Sequence, residues 1–397
     1  MSVMEKRDSS VPDTASVSPT PGPQASASHP FRELSILDKL LTPLVLLSMI
    51  LGVVIGNFAP NVRSALDTAK FDGVSVPIAI GLIVMMWPIL TKVQYEKLPS
   101  IFRTSRVWKH IGISLVLNWL VGPFVMLGLA WATLPDLPTY RAGVIMVGIA
   151  RCIAMVVIWN DLARGDAEYA AILVVVNAIL QIVLFSPYSL LLINVVGGNQ
   201  HNAIHVEYGH AAISVLIYLG IPLLAGIVTR YGMIFLTSKD FFNKKFLPLF
   251  SPIALIGLLY TIIVLFAYQG KRIIHNLGPV FRVFVPQILY FLIMWLGTFF
   301  VMNWLARREK PRAAKEKVFT YEIAVTQAFT AASNNFELAI AVAIAVYGVD
   351  SEQALAASIG PLTEVPVLLA LAWVALWLKH RLAWQPAAIA DSGEKNI

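Results

Sequence analysis

The chain has 397 residues, 57% of them hydrophobic and 13% charged, with a mean hydropathy of +0.72; soluble domains average roughly 45–50% apolar and about 25% charged residues, so this is the composition of a polytopic membrane protein. A single cysteine excludes an intramolecular disulfide framework, a CxxC redox pair and a cysteine-rich zinc site. The net charge of +7 and pI near 9.4 imply no nucleic-acid partner, because basic residues retained in cytoplasmic loops explain them.

The first 35 residues include "SSVPDTASVSPTPGPQASASHP", rich in Ser and Pro and without apolar periodicity, and are expected to form a disordered cytoplasmic tail. They carry neither the basic start and apolar core of a signal peptide nor an Arg-rich transit pattern, so the first membrane helix is expected to be uncleaved. Apolar segments of about 20 residues then recur, the length that a hydrocarbon core of roughly 30 Å requires. Ten spans are expected, near 37–58, 75–93, 110–133, 141–162, 167–195, 210–235, 247–268, 281–305, 320–347 and 354–378.

An even number of spans puts both termini on one side. Of the 30 Lys and Arg residues, 23 fall on the tails and the alternate loops that share their side, six on the opposite loops, and Arg151 inside a span. That bias places both termini in the cytoplasm. The loop carrying Lys271, Arg272 and Arg282 fits it least well. Five spans per half is an odd number, so the second half enters the membrane with inverted orientation. The expected fold is all-α and polytopic. Its two inverted five-helix repeats would occupy residues 36–196 and 197–380, followed by a cytoplasmic tail at 381–397. In secondary transporters, interrupted helices at matching positions of two such halves meet near the midplane and form the substrate site. The fourth and ninth spans are the two with unusual polar content, the former with Arg151 and Cys152, the latter with Ser333, Asn334, Asn335 and Glu337.

Glu337 is the strongest single signal, since an acidic side chain at mid-membrane costs on the order of 2.5–3.5 kcal/mol on insertion scales and normally faces a polar cavity or partner. Helical spacing puts Thr330, Ser333, Asn334 and Glu337 on one face. Glu337 could carry a proton, or the same oxygens could hold Na⁺, or the carboxyl could be a structural partner. Cys152 alone reads as a small buried hydrophobe; adjacent Arg151 and a break in the helix would favour its thiolate. Arg151 could instead pair with Glu337 or Glu364. Glu364, between Pro361 and Pro366, is a second candidate proton or ion site, or a structural partner of Arg151. Asn177 and Gln181 recur at i and i+4 in the fifth span, where interhelical hydrogen bonding is the usual role, and Trp159 near the cytoplasmic end reads as an interface anchor. His201, His205, His210 and Glu207 could form an external metal site, but no pattern aligns them. The basic loop 306–318 is a cytoplasmic loop, and neither a Gly-rich phosphate loop nor HExxH occurs.

The stretches "GIARCIAMVVIWNDLARGD", "TAASNNFELAIAVAIAVYG" and "IGPLTEVPVLLALAW" closely resemble the Acr3 family of arsenite efflux permeases, and the likeness runs from about residue 35 to 380. The resemblance implies ten spans with crossed, broken helices in spans four and nine. It implies a plasma-membrane transporter without a cofactor that exports arsenite in exchange for protons, with antimonite an open second cargo. Cys152 is then the ligand of trivalent arsenic and Glu337 the essential carboxylate. Arg151, Trp159, Asn335 and Glu364 carry over as further site residues, with Ser333, Asn334, Asn177 and Arg230 in support. A sodium-coupled carrier of organic anions is the alternative, in which Asn334, Asn335 and Glu337 bind Na⁺ and Cys152 only packs.

Overall fold

A computed structural model describes residues 36–59, 61–66, 69–71, 74–97, 105–153, 155–196, 208–275, 277–309, 318–382 and 384. The expected disordered tail at 1–35, nearly all of the tail at 381–397, and His201, His205 and Glu207 lie outside the described residues.

Helices account for almost all of the described chain: α1 Ile36–Phe58, α2 Val76–Thr91, α3 Val107–Thr133, α4 Pro138–Ile149, α5 Met155–Leu162, α6 Ala167–Val195, α7 Tyr208–Leu236, α8 Pro252–His275, α9 Leu277–Arg308, α10 Tyr321–Ala332, α11 Phe336–Tyr347 and α12 Glu352–Arg381. A small antiparallel ladder, Lys70–Phe71 with Val74–Ser75, precedes α2. Among the described residues, six helical segments are long and apolar enough to cross a bilayer: Val107–Thr133, Ala167–Val195, Tyr208–Leu236, Lys239–Lys271, Leu277–Arg308 and Glu352–Arg381. The chain is an all-α polytopic membrane protein, and its helices fall on the apolar segments read from the sequence.

Two groups of helices pack differently. In the first, α8 runs along α1 and α2, and α7 along α2. Small residues permit this closeness, since a Cβ on Gly52 or Gly56 would collide with the α8 backbone around Ala267, as expected where glycines four apart let helices approach. In the second, α4 packs on α3 and α12, α9 packs on α3, α10 and α12, and α11 packs on α12. This group holds the functional candidates, because α4 and α10 both stop inside it.

The two interruptions have different local causes. α10 ends at Ser333 with extended backbone (φ −78°, ψ 143°), and Asn335 then caps α11 by accepting a hydrogen bond from Leu338 N at 3.1 Å. A Ser-Asn-Asn run is poor helix interior and good cap material, because its short polar side chains compete for backbone groups. α4 ends at Ala150 (φ −72°, ψ 119°) in a sequence, Ile-Ala-Arg-Cys-Ile, that contains no Gly or Pro and no capping residue. Here the partner decides. The two breaks cross as an antiparallel bridge between Arg151 and Asn334, with Asn335 N donating to Ala150 O at 3.1 Å and Cys152 N to Ser333 O at 3.4 Å. Each break thereby satisfies backbone groups that the other exposes, as non-helical chain at membrane depth requires.

Candidate functional site

Four carbonyls lose their helical partners where α4 stops, and side chains answer all four. Asn334 Nδ2 donates to Val147 O at 2.7 Å and to Ala150 O at 3.2 Å. Arg151 folds back along its own helix, donating from Nη2 to Gly148 O and from Nε to Ile149 O at 3.3 Å. Its Nη1 donates to Tyr290 Oη at 2.8 Å, and that hydroxyl donates to Ala331 O, at the end of α10, at 3.1 Å. One cation and one phenol from α9 thus close the negative ends of both half-helices.

The ion pair with Glu337 or Glu364 that the sequence left open as one alternative for Arg151 is not made: among the described residues the guanidinium hydrogen-bonds to carbonyls and to Tyr290. The carbonyl end of α4 supplies the compensating charge instead. α3 comes close enough to shape this arrangement because it carries a π-turn at Val116–Val121 and then Gly122, where a Cβ would stand 2.7 Å from Arg151 Nη1 and 3.0 Å from Tyr290 Oη.

Cys152 turns the other way. Its Sγ accepts a hydrogen bond from Val156 N at 3.4 Å, so the sulfur sits over the first turn of α5, at the positive end of that half-helix. Arg151 and Cys152, neighbours in sequence, therefore serve opposite half-helices across the break.

Four other buried residues complete the cluster. Ser333 Oγ donates to Glu364 Oε1, while Oε2 of Glu364 has no hydrogen-bond partner. Glu337 occupies the first turn of α11, nearly buried, within electrostatic reach of Glu364. The Trp159 indole N–H stands near Glu364 without reaching hydrogen-bond geometry. The single helical face expected for Thr330, Ser333, Asn334 and Glu337 is corrected by the break. Thr330 remains in α10, bonded to Thr326 O at 2.6 Å, and Glu337 belongs to a separate helix.

Two supporting candidates lie apart from the crossing. Asn177 Oδ1 accepts from Trp119 Nε1 at 3.2 Å, tying α6 to α3. Arg230 on α7 is buried against Glu96, with hydrogen bonds of 2.6 and 2.8 Å, against the carbonyls of Thr91 and Lys92 at the end of α2, and over the Phe242 ring. The Arg230 guanidinium holds the Glu96 carboxyl down at about 2, below the ordinary carboxylate range. Two further residues touch the crossing: Gln181, which the sequence marked only for interhelical hydrogen bonding, and Tyr290, which it did not mark at all. Gln181 Oε1 accepts from Arg151 N at 2.9 Å and from Asn335 Nδ2 at 3.5 Å, so it contacts both breaks. An amide in an apolar helix was its signal; Tyr290 had none to distinguish it from other aromatic residues. Among the described residues no group of three or more His, Cys, Asp or Glu side chains could hold a metal ion.

A helical membrane protein whose two interrupted helices exchange backbone hydrogen bonds around buried Ser, Asn, Glu and Cys is built as a secondary transporter is built, and residues 79–276 match the Sodium Bile acid symporter family. The chain is 41% identical over 353 residues to Arsenical-resistance protein Acr3 of Corynebacterium glutamicum, covering 88% of this chain and 91% of that one. It is 30% identical over 378 residues to Arsenical-resistance protein Acr3 of Alkaliphilus metalliredigens, covering 92% and 98%, and 33% identical over 357 residues to an uncharacterized transporter of Synechocystis, covering 85% and 88%. The chain belongs to the Acr3 arsenical-resistance family within the bile acid/sodium symporter group, and it is a transporter rather than an enzyme.

Proposed function

We propose that this protein exports trivalent arsenic from the cytoplasm, as arsenite, across the plasma membrane in exchange for protons. In this reading the polypeptide crosses the bilayer ten times, with both termini cytoplasmic. Residues 36–196 and 197–380 form inverted halves, whose fourth and ninth crossings are the interrupted pairs α4/α5 and α10/α11. The antiparallel bridge between Arg151 and Asn334 supports it, since it joins matching positions of the two halves.

One observation carries the substrate assignment: the only thiol of the chain lies beside a buried Ser/Asn/Glu cluster, in a chain 41% identical to an arsenical-resistance protein. Trivalent arsenic is thiophilic, and a single sulfur selects for it without the grip of three. Cys152 S–H and one As–OH condense to S–As and water, and hydrolysis reverses the step on the outer side. Asn335, Ser333 and Asn334 engage the remaining hydroxyls. Glu337, with Glu364 in electrostatic contact, exchanges a proton against the bound arsenic. Trp159 faces the same carboxylate, Arg151 holds the end of α4, and Asn177 and Arg230 support the surrounding helices at a distance.

Uptake of arsenite by everted membrane vesicles under an imposed proton gradient tests this. Cys152→Ser is expected to abolish uptake and Glu337→Gln to abolish its dependence on the proton gradient; full uptake by Cys152→Ser sinks the thiol assignment. The match to the Sodium Bile acid symporter family favours one other reading, a sodium-coupled carrier of organic anions. Uptake that persists in Glu337→Gln and follows a sodium gradient would select it.

A further inference from the structure

Gln181 is fully buried on α6, and its amide has a fixed orientation. Two donors, the Arg151 backbone N–H at 2.9 Å and Asn335 Nδ2 at 3.5 Å, converge on Oε1. The oxygen must face them, which leaves Nε2 with two N–H groups and no acceptor. Asn334 is pinned in the opposite sense. Its Nδ2 is spent on Val147 O and Ala150 O, and Oδ1 is left without a donor.

Buried amides are nearly always paired, so an unused donor and an unused acceptor at one crossing describe what the place receives. An anion is satisfied by donors alone and a cation by acceptors alone. A hydroxyl both donates and accepts.

We propose that Gln181 is a substrate-binding residue whose amide N–H groups donate to a hydroxyl of a small, neutral, polyhydroxylated molecule, so that the crossing takes undissociated As(OH)₃ and not its anion. This rests on the arsenite reading and adds to it a residue and a protonation state. Asn334 Oδ1 accepts from a substrate hydroxyl, and a deprotonated oxygen at that point would face another acceptor.

The decisive variant is Gln181→Glu, because it keeps the acceptor that holds Arg151 N–H and Asn335. The introduced carboxyl donates one O–H when protonated and none when ionised. Arsenite uptake by everted vesicles is measured against concentration at a series of pH values, each variant divided by wild type so that the pH dependence of coupling cancels. At acidic pH, Gln181→Glu is expected to show an apparent KM within about twofold of wild type. As pH rises and the carboxylate ionises, KM is expected to rise about tenfold, the worth of one hydrogen bond, with a smaller change in maximal rate. Gln181→Met, which neither donates nor accepts, should show the raised KM at every pH. A flat KM ratio for Gln181→Glu across the series, or a wild-type KM for Gln181→Met, overturns the role of Gln181. Absence of arsenite uptake by the wild-type vesicles overturns the arsenite reading itself, and is seen before any variant is compared.

Discussion

Arg151 and Cys152 show how two adjacent side chains acquire unrelated duties when both lie in the break between two half-helices. The guanidinium is fully buried, yet it reaches no carboxylate among the described residues; its charge is met by Gly148 O, Ile149 O and the Tyr290 hydroxyl. Tyr290 is the residue that joins this arrangement to α10, through Ala331 O. Tyr290→Phe keeps the ring but leaves a buried carbonyl and one guanidinium N–H unanswered. It is expected to destabilise the protein by about 1.5–3 kcal/mol, the range for a hydrogen bond involving a charged group, read as a lowered unfolding midpoint in detergent. An unchanged midpoint would show that water replaces the hydroxyl.

At the scale of elements, capping explains what apolar periodicity does not. α6 starts at Asp166, whose carboxylate accepts from Tyr169 N at 2.9 Å, and α10 at Thr320, which accepts from Ile323 N. Asp166→Ala removes a cap far from the crossing and should cost about 1 kcal/mol of stability, while the apparent KM for arsenite stays at the wild-type value; a thermal melt paired with vesicle uptake checks both halves of that statement. The turn before α6 and the end of α5 are held to α10 by further contacts, from Tyr321 Oη to Ala163 O at 2.9 Å and from Thr326 Oγ1 to Asn160 Oδ1 at 2.7 Å. The break before α11 has a local signal in Ser-Asn-Asn, whose side chains prefer caps to helix interiors, although helical spacing alone had put Ser333, Asn334 and Glu337 on one continuous face. The break after α4 was not, since Ile-Ala-Arg-Cys-Ile is ordinary helix sequence whose termination depends on Asn334 and Asn335, more than 180 residues away.

Across the whole molecule, charge is paired where it is least expected. Arg282, read from the sequence as part of the loop that fits the distribution of basic residues worst, lies near the start of α9 and is bound to Asp136 at 2.5 and 2.7 Å, and the guanidinium holds that carboxyl down at about 2. The Arg230–Glu96 pair clamps α7 to the end of α2. Glu96 has a lowered folded-state value, about 2 against an ordinary 4.5, so the pair contributes in full above 4.5. Its contribution falls as pH drops from 4.5 toward 2, where the unfolded chain binds the proton first. Wild type is therefore expected to lose unfolding midpoint over that window by more than Glu96→Gln, which lacks the titrating group, and parallel curves for the two proteins would remove Glu96 from the account. At neutral pH the variant should melt lower, because buried Arg230 has lost its anion.

The amino-acid sequence by itself determined the membrane class, the positions of the apolar helices, and the short set of buried polar residues from which any site must be drawn. Hydrocarbon imposes those features locally, through length and through the cost of charge. Only the tertiary structure decided that α4 stops at Ala150, that Arg151 serves a helix end and not a carboxylate, and that Gln181 stands between both breaks. The first and third outcomes depend on hydrogen bonds between residues 30 to 187 positions apart, which no local pattern encodes, and the second, made two and three residues back along the chain, opens only once α4 has stopped.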